Sequence, residues 1–215
     1  ENSFPEDNFI NNVDNQLTFG KGYSYGAELF IKKRLGDFNG WVGYTYSKTM
    51  RKFDEIDNGE WFPAKYDRRN DLSIVGQYQI NKRVNIGAVF VFATGNSLSL
   101  PESRWFSLEE NRIITVWSKR NQYRLDPYHR LDISVTIDSN PYKTIKNKET
   151  NETEKVKKKF TSSWNFSVYN VYNRANPYFI FFDASGDPIQ GTAEFGASQV
   201  SLFPILPSVT WNFSF

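Results

Sequence analysis

The sequence has 215 residues, no cysteine, one histidine and a formal net charge of +2. Without cysteine the chain can form neither a disulfide framework nor a thiol nucleophile, and a single histidine disfavours a histidine-based triad and a multi-histidine metal site. We therefore predict no catalytic residue, no metal site and no cofactor, and we do not expect an enzyme. The near-neutral charge argues against nucleic acid as a partner.

Alternation of apolar and polar residues is the main structural signal in this sequence. No segment approaches the ~20 consecutive apolar residues that a membrane helix needs. Hydropathy averaged along the chain is uninformative about strands that cross a membrane, because such strands place apolar residues outward and polar residues inward in turn. The positions of the apolar residues therefore have to be followed strand by strand.

In chain order, residues 1–20 are rich in Asn and Asp without a sustained period, which predicts a loop. From Lys21 the residues alternate, and seven strands are predicted with starts near residues 22, 40, 70, 84, 129, 160 and 200. The most regular run, residues 130–138, alternates aliphatic residues with charged and hydroxyl-bearing residues. Because side chains alternate across a strand, this run has one apolar and one polar face.

The predicted connections differ in length. Short turns are expected at residues 36–39 and 81–83, and a solvated hairpin is expected in the Lys- and Glu-rich segment 143–159. Three long loops are expected at residues 50–69, 95–127 and 173–199, with a short strand at 113–117 and a tight turn at 183–187. Short periplasmic turns and long extracellular loops are typical of outer-membrane barrels. This asymmetry predicts that the three long loops are extracellular and that the 143–159 hairpin is periplasmic.

The last strand has the most pronounced apolar face. That face consists of Val209, Trp211, Phe213 and Phe215, and the intervening residues are Ser, Thr and Asn. An aromatic face at the very end of a chain is favoured where it meets lipid, and in a bilayer the backbone of a strand must be satisfied by closure of a barrel. These four residues resemble the C-terminal insertion signal of bacterial outer-membrane barrels, which the barrel assembly machinery recognises.

Six short motifs from Gly22 onward carry a family resemblance. They are Gly22-Tyr-Ser-Tyr-Gly-Ala-Glu-Leu29, Gly40-Trp-Val-Gly-Tyr-Thr-Tyr-Ser47, Tyr66-Asp-Arg-Arg-Asn-Asp-Leu72, His129-Arg-Leu-Asp-Ile133, Tyr169-Asn-Val-Tyr-Asn-Arg-Ala-Asn-Pro-Tyr178 and Phe203-Pro-Ile-Leu-Pro-Ser208. In this order they resemble the C-terminal barrel of SusC-like TonB-dependent receptors of the Bacteroidetes type.

The resemblance implies a barrel of about 22 strands filled by an N-terminal plug. Import of a nutrient such as a glycan, a peptide or a metal chelate is then driven by TonB. On this hypothesis residues 1–20 are the remnant of an extracellular loop. Residues 21–215 are the C-terminal segment of the barrel and contribute about seven antiparallel transmembrane strands.

The resemblance also implies partners and a location. The partners are outer-membrane lipid, the barrel assembly machinery, the plug and remaining strands of the same protein, TonB through another part of the protein, and a lipoprotein lid. The implied location is the outer membrane of a Gram-negative bacterium.

Two other architectures remain open at this point. Residues 8–19 could supply an eighth strand and close a small barrel that acts as a structural anchor or adhesin. A soluble β-sandwich module that binds sugar would show the same alternation and aromatic content. Recovery of the chain only with membranes would eliminate the sandwich.

Aromatic residues in the predicted extracellular loops are candidate ligand contacts. They are Trp61, Phe62, Trp105 and Trp117. Aromatic rings stack on other flat or apolar groups, although rings in large loops also form the small cores of those loops. We therefore predict ligand binding at these positions as one of two interpretations.

The sequence also contains two clusters of charged residues. The first, in the loop around Asn58-Gly59, consists of Asp54, Glu55, Asp57 and Glu60. It supplies the oxygen ligands that Ca²⁺ prefers, but its spacing is not that of an EF-hand, so a solvated loop is favoured. The second is at the start of a strand, beside His129, where Arg130 and Asp132 lie on one face and are expected to pair.

Overall fold

The computed structural model describes residues 17–107, 109–110, 112–146, 153–186, 190, 192 and 194–215. Residues 17–19 have no regular secondary structure, in agreement with a loop before the first strand. The rest of that predicted loop, residues 1–16, lies outside the described residues. So do residues 147–152 in the Lys- and Glu-rich hairpin and Asp187 in the turn predicted at 183–187.

Most of the described residues are in β-strands. The strands are β1 (Gly20–Lys33), β2 (Phe38–Phe53), β3 (Phe62–Pro63), β4 (Asn70–Asn81), β5 (Val84–Ala93), β6 (Ser97–Leu98), β7 (Pro101–Ser107), β8 (Arg112–Trp117), β9 (Tyr123–Arg124), β10 (Tyr128–Asp138), β11 (Tyr142–Lys146), β12 (Thr153–Lys157), β13 (Thr161–Tyr169), β14 (Pro177–Ser185), β15 (Glu194–Ser201) and β16 (Leu206–Ser214). Among the described residues the helical structure is a 3₁₀ turn at Asp57–Gly59, and no helix there is long and apolar enough to cross a membrane.

The principal sheet has the strand order β1-β2-β4-β5-β10-β13-β16, and β3 pairs with β2 beside this path. Neighbours from β2 to β16 are antiparallel. The connections after β2, β5 and β13 therefore leave one end of the sheet, and those after β4 and β10 leave the other. The prediction of an all-β chain with antiparallel sheets is confirmed.

One face of this sheet is apolar from β2 to β16. Directly paired residues form the rows Val42-Ile74-Phe90-Leu131, Tyr78-Ile86-Val135-Phe166-Val209 and Val84-Ile137-Trp164-Trp211. The face is open: Val209 is 59% exposed, Trp211 47% and Phe166 45%. The fully buried apolar residues among the described ones are Phe62, Ala64 and Ala93, none of which lies on this face. The large apolar side chains of the sheet are therefore not covered by the part of the chain that the structure describes.

The opposite face of β10, β13 and β16 is polar and hydrogen-bonded across strands. Asn165 Nδ2 donates to Thr136 Oγ1 at 2.8 Å, and the hydroxyl oxygens of Ser167 and Ser208 are 2.6 Å apart. A cleft of about 390 Å³ opens on this face. The two faces thus differ in chemistry, as the alternation in the sequence predicts.

Six of the seven predicted strand starts lie within two residues of strands in the principal sheet, and the last differs. The closing strand was predicted from about residue 200, whereas β16 begins at Leu206. Phe203 has a left-handed backbone with φ 55, and Pro204 has no N–H to donate to a ladder. The start predicted for the closing strand is therefore wrong.

The loops predicted from the sequence are more ordered than expected. β7 pairs with β8 and β6 with β9 inside the second long loop, and β8 confirms the short strand predicted at residues 113–117. The third loop contains the hairpin of β14 and β15, in which Val200 pairs with Phe179. Residues 179–182 are all apolar, so alternation gives no signal there.

Smaller differences concern strand ends and turns. β2 continues to Phe53, beyond the predicted loop start at residue 50. It begins at Phe38, so the first turn occupies residues 34–37 and overlaps only in part with the predicted 36–39. The turn predicted at residues 81–83 is confirmed between β4 and β5. The Lys- and Glu-rich hairpin is confirmed by the pairing of β11 with β12, where Tyr142 lies opposite Lys157.

The chain divides into two compact units. We call the first the loop unit; it contains residues up to Tyr25, Lys48–Asp67 and Asn96–Arg124. We call the second the sheet unit; it contains Gly26–Ser47, Arg68–Gly95 and Leu125–Phe215. The loop unit is thus built largely from the connections after β2 and β5.

Asn170 organises the turn that follows β13. It is fully buried and has a left-handed backbone with φ 54, a conformation that Asn tolerates better than most residues. Its side chain accepts a hydrogen bond from the Arg174 backbone N–H at 3.1 Å and donates to the carbonyl oxygens of Arg174 and Phe203. Its own N–H donates to Asp132 Oδ1 at 2.9 Å. Asn170 therefore ties this turn to β10 and to the segment that leads into β16.

Asn170→Ala should destabilise the full-length protein by about 2–4 kcal/mol, because buried backbone groups lose their partners and alanine lacks the polar side chain that lets asparagine tolerate a left-handed backbone. Asn170→Gly loses the same side-chain bonds without that backbone cost, so it should be less damaging by about 1 kcal/mol. Denaturant unfolding measures both variants. An alanine variant as stable as the wild type would contradict the role of Asn170.

Candidate functional site

The loop unit is built by short pairings between segments that are distant in the chain. The end of β2 pairs with β3, with Met50 opposite Pro63 and Arg51 opposite Phe62. β6 pairs with β9, with Ser97 opposite Arg124. Each pairing lies within one connection, and the two connections are joined by the Ser97 backbone N–H, which donates to the Lys65 carbonyl oxygen at 2.9 Å.

A buried ion pair anchors this arrangement. The carboxylate of Asp67 has no exposed surface and is bound by the Arg124 guanidinium, which also donates to the Asp67 carbonyl oxygen. Asp67 Oδ1 also accepts the Thr49 backbone N–H at 2.6 Å. The buried charge is thus compensated by a cation and a backbone donor, as burial of a carboxylate requires.

The segment between β8 and β9 is held by three further contacts. Asn121 Nδ2 donates to the Pro63 carbonyl oxygen at 2.8 Å, and the Arg120 backbone N–H donates to Asp57 Oδ2 at 2.6 Å. On the surface, the Lys119 ammonium group pairs with Glu60. The hydrogen bond that Lys119 donates to the Glu60 carboxylate, together with the charge of that carboxylate, raises the pKa of the Lys119 amino group.

A cavity of about 790 Å³ lies within the loop unit. Its lining residues are Thr49, Arg51, Phe53, Ile56, Phe62, Ala64, Lys65, Tyr66, Ser97, Leu98, Ser99, Arg120 and Asn121. The lining includes basic side chains and no acidic one. The buried part of the lining is apolar except at one hydroxyl group.

That hydroxyl group belongs to Ser97, which is 1% exposed. Its Oγ has no hydrogen-bond partner among the described residues, although its backbone N–H donates to the Lys65 carbonyl oxygen at 2.9 Å. Buried hydroxyl groups are nearly always paired, because an unpaired one costs free energy. The Oγ has almost no accessible surface, so the unpaired hydroxyl is a local cost to stability and is not itself open to the cavity.

Ser97→Ala should leave the free energy of unfolding unchanged or raise it by up to ~1 kcal/mol, because it removes an unpaired polar group. Ser118 is the matched control, since it is buried in the same unit and its Oγ accepts the Leu100 N–H at 3.0 Å and lies 3.1 Å from the Lys119 carbonyl oxygen. Ser118→Ala should destabilise by about 1–2 kcal/mol. Thermal unfolding measures both variants. A larger loss of stability in Ser97→Ala than in Ser118→Ala would contradict this description.

The four candidate aromatic residues do not form one site. Phe62 is 6% exposed and packs on Phe53 with ring centroids 6.0 Å apart, so it is part of the small core of the loop unit as well as of the cavity lining. Trp61 is exposed and packs against Tyr23 at 4.9 Å. Their role in ligand binding stays a prediction.

The other two candidates lie on the β7–β8 hairpin. Trp105 pairs with Ile114, and Trp117 with Pro101. In β8, Ile114 and Trp117 are three positions apart and so face opposite ways. Trp105 and Trp117 therefore lie on opposite faces of the hairpin, and one ligand cannot stack on both from the same side.

The acidic cluster is partly used by the loop unit itself. Asp57 binds the Arg120 backbone and Glu60 pairs with Lys119. Among the described residues no group of three or more potential metal ligands is close enough to hold an ion. The cluster thus provides structural contacts in this loop.

The charge pairing predicted in the sheet unit is confirmed. Arg130 Nε lies 2.9 Å from Asp132 Oδ1, and its guanidinium carbon lies 4.0 Å from the centre of the Tyr169 ring. His129 Nδ1 is 2.8 Å from the Tyr172 hydroxyl oxygen. Burial of the Tyr172 hydroxyl group raises the pKa of that tyrosine.

The predicted assembly signal lies on the apolar face of β16. The Trp211 and Phe213 rings are tilted against each other with centroids 4.7 Å apart, and the Phe213 and Phe215 rings stack with centroids 6.2 Å apart. Phe215 is 90% exposed at the end of the strand. Val209 pairs with Phe166 on the same face.

Comparison of the chain with protein-family models, with curated proteins and with solved structures finds no match. The site is therefore argued from its own geometry. Sequence analysis missed the basic residues of the cavity, because Arg51, Lys65 and Arg120 are scattered along the chain and form no local motif.

Proposed function

We propose that this chain forms part of the wall and extracellular loops of a TonB-dependent outer-membrane receptor that imports a nutrient such as a glycan, a peptide or a metal chelate. The observation that carries the proposal is the apolar face of the principal sheet, which continues from β2 to β16 and is open to its surroundings.

An open apolar face of this extent is costly in water. Soluble monomers rarely expose contiguous apolar patches larger than a few hundred Å², whereas six strands spaced by about 4.8 Å make a face about 24 Å wide. Contact with lipid removes this cost without any covering layer of protein. The polar face of β10, β13 and β16 would then point to the interior of a barrel.

The lengths of the connections support an orientation. The connections after β2, β5 and β13 are long and share one end of the sheet. At the other end a two-residue turn joins Asn81 to Val84, and the connection after β10, which contains the β11–β12 hairpin, is the long exception. Outer-membrane barrels have short periplasmic turns and long extracellular loops. The loop unit is then extracellular, and Phe215 lies at the periplasmic end.

The partners proposed for this function are those that the family resemblance implies. Outer-membrane lipid contacts the apolar face, and the barrel assembly machinery recognises β16. The other strands and the plug belong to the same protein, TonB supplies the energy for import, and a lipoprotein lid covers the extracellular loops.

Cell fractionation tests the membrane part of the proposal, and genetics tests the import part. The full-length protein should be recovered with Gram-negative outer membranes and should be released only by detergent. A strain that lacks its gene and a strain that lacks TonB activity should lose growth on the same nutrient. Recovery in the soluble fraction would instead favour the β-sandwich, and a growth defect unaffected by TonB would favour the small anchoring barrel.

A further inference from the structure

We infer that the cavity of the loop unit binds a small organic acid, through its carboxylate and an apolar body. This inference deepens the proposed function, on which its biological meaning rests, by naming the chemical class of ligand that the loops receive.

The charge of the cavity favours an anion. Arg51, Lys65 and Arg120 line it, and none of them forms an ion pair with a described residue. Lys65 lies over the Tyr66 ring at 5.6 Å. Cations without an ion-pair partner attract a carboxylate, and arginine binds a carboxylate in a bidentate geometry.

No described acidic residue forms an ion pair with these cations, and Asp54 and Glu55, the nearest to Arg51 in the chain, are exposed. Asp57 accepts a hydrogen bond from the Arg120 backbone N–H. Glu60 forms an ion pair with Lys119, and the Asp67 carboxylate forms one with Arg124. The positive charge of the cavity is therefore available to a ligand.

The buried part of the lining favours an apolar body. Phe62 and Ala64 are buried there, and Phe53 stacks on Phe62. A ligand with a ring or aliphatic body would bury apolar surface against these side chains.

The exposed and the buried lining residues have different roles in ligand binding. Arg51, Lys65 and Arg120 are exposed at the rim, where they can meet the carboxylate, and Phe62 and Ala64 are buried below. Two sources share this chemistry, peptide acids and sugar acids. A binding experiment with matched probes separates them.

Calorimetric titration of the detergent-solubilised full-length protein tests the inference with N-acetylphenylalanine and its neutral amide, and with phenyl glucuronide and phenyl glucoside. We expect at least one acid to bind about tenfold tighter than its neutral counterpart, because charge-assisted hydrogen bonds are lost in the neutral probe. The preferred acid identifies the source. Equal affinity within both pairs, or no binding by any probe, would overturn the inference.

Arg51→Gln should weaken binding of the preferred acid about tenfold and leave its neutral counterpart unchanged. Arg112→Gln is the matched control, because Arg112 belongs to the same unit, pairs with Glu110 and does not line the cavity. Lys65→Gln replaces Arg51→Gln if that variant does not fold. Equal effects of the cavity variant and the control on binding would refute the assignment of the cavity. That result would leave the proposed function standing, because fractionation with the outer membrane and dependence on TonB are measured separately.

Discussion

Arg124→Leu should destabilise the loop unit by about 3–5 kcal/mol, because removal of one partner leaves a buried charge uncompensated. The Asp67 carboxylate is fully buried, and Arg124 binds both this carboxylate and the Asp67 carbonyl oxygen. The loss is expected to be local, so hydrogen exchange of Asn96–Arg124 in the full-length protein is the measurement. Exchange in these residues should accelerate strongly, with little change in β10 and β13.

Two controls separate the buried pair from a general effect of losing a charge. Arg112→Leu removes a cation from an exposed pair and should have little effect, because such pairs contribute ~0–1 kcal/mol. The double variant Asp67→Asn with Arg124→Leu removes the uncompensated charge and should recover part of the loss. Wild-type exchange rates in Arg124→Leu would show that the pair does not hold the unit together.

Phe215→Ala should lower the amount of the full-length protein in the outer membrane several-fold, while the fraction that inserts keeps near-normal heat resistance. Phe215 is 90% exposed and contacts Phe213 at the end of β16, so truncation costs at most about 2–3 kcal/mol by burial. An open edge strand is, however, where an assembly factor can pair before the barrel closes. The larger effect should therefore be on assembly.

Membrane abundance and heat-modifiable gel mobility test the two parts of this prediction separately. Phe160→Ala is the matched control, because Phe160 is also exposed and lies 6.3 Å from Phe213, but precedes β13. It should leave abundance near normal. Equal abundance of the Phe215 variant and the wild type would contradict a role for the terminal residue in assembly.

The sequence predicted the parts of the fold that repeat a local pattern. In β10 every second residue is aliphatic, and the structure places Ile133, Val135 and Ile137 in rows with apolar residues of β5 and β13. The physical cause is the period of two, which needs only neighbouring residues. Charge pairing of Arg130 with Asp132 followed from the same rule.

The parts that the sequence did not predict depend on contacts between distant segments or on unusual backbone. β14 is apolar on both faces, so its hairpin with β15 has no alternating signature. The late start of β16 depends on the left-handed Phe203, and the turn after β13 depends on the left-handed Asn170.

The candidate site was predicted only in part. Aromatic composition indicated Trp61, Phe62, Trp105 and Trp117, but it could not show that Phe62 is buried or that Trp105 and Trp117 face opposite ways. The cavity needs β3 and β6 to meet the end of β2 and the β8–β9 segment, and such long-range contacts leave no local sequence pattern.

Lipid contact along β10 tests the central claim most directly, and single-cysteine variants can measure it because these 215 residues contain no cysteine and any cysteine elsewhere in the protein can be replaced first. A fluorophore attached at Ile133→Cys, Val135→Cys or Ile137→Cys of the full-length protein should be quenched by brominated lipid acyl chains. Ser134→Cys and Thr136→Cys should not be quenched, because they lie on the polar face. Quenching at every second position is the predicted result, and equal quenching at all five positions or none at Ile133, Val135 and Ile137 would contradict a lipid-facing sheet.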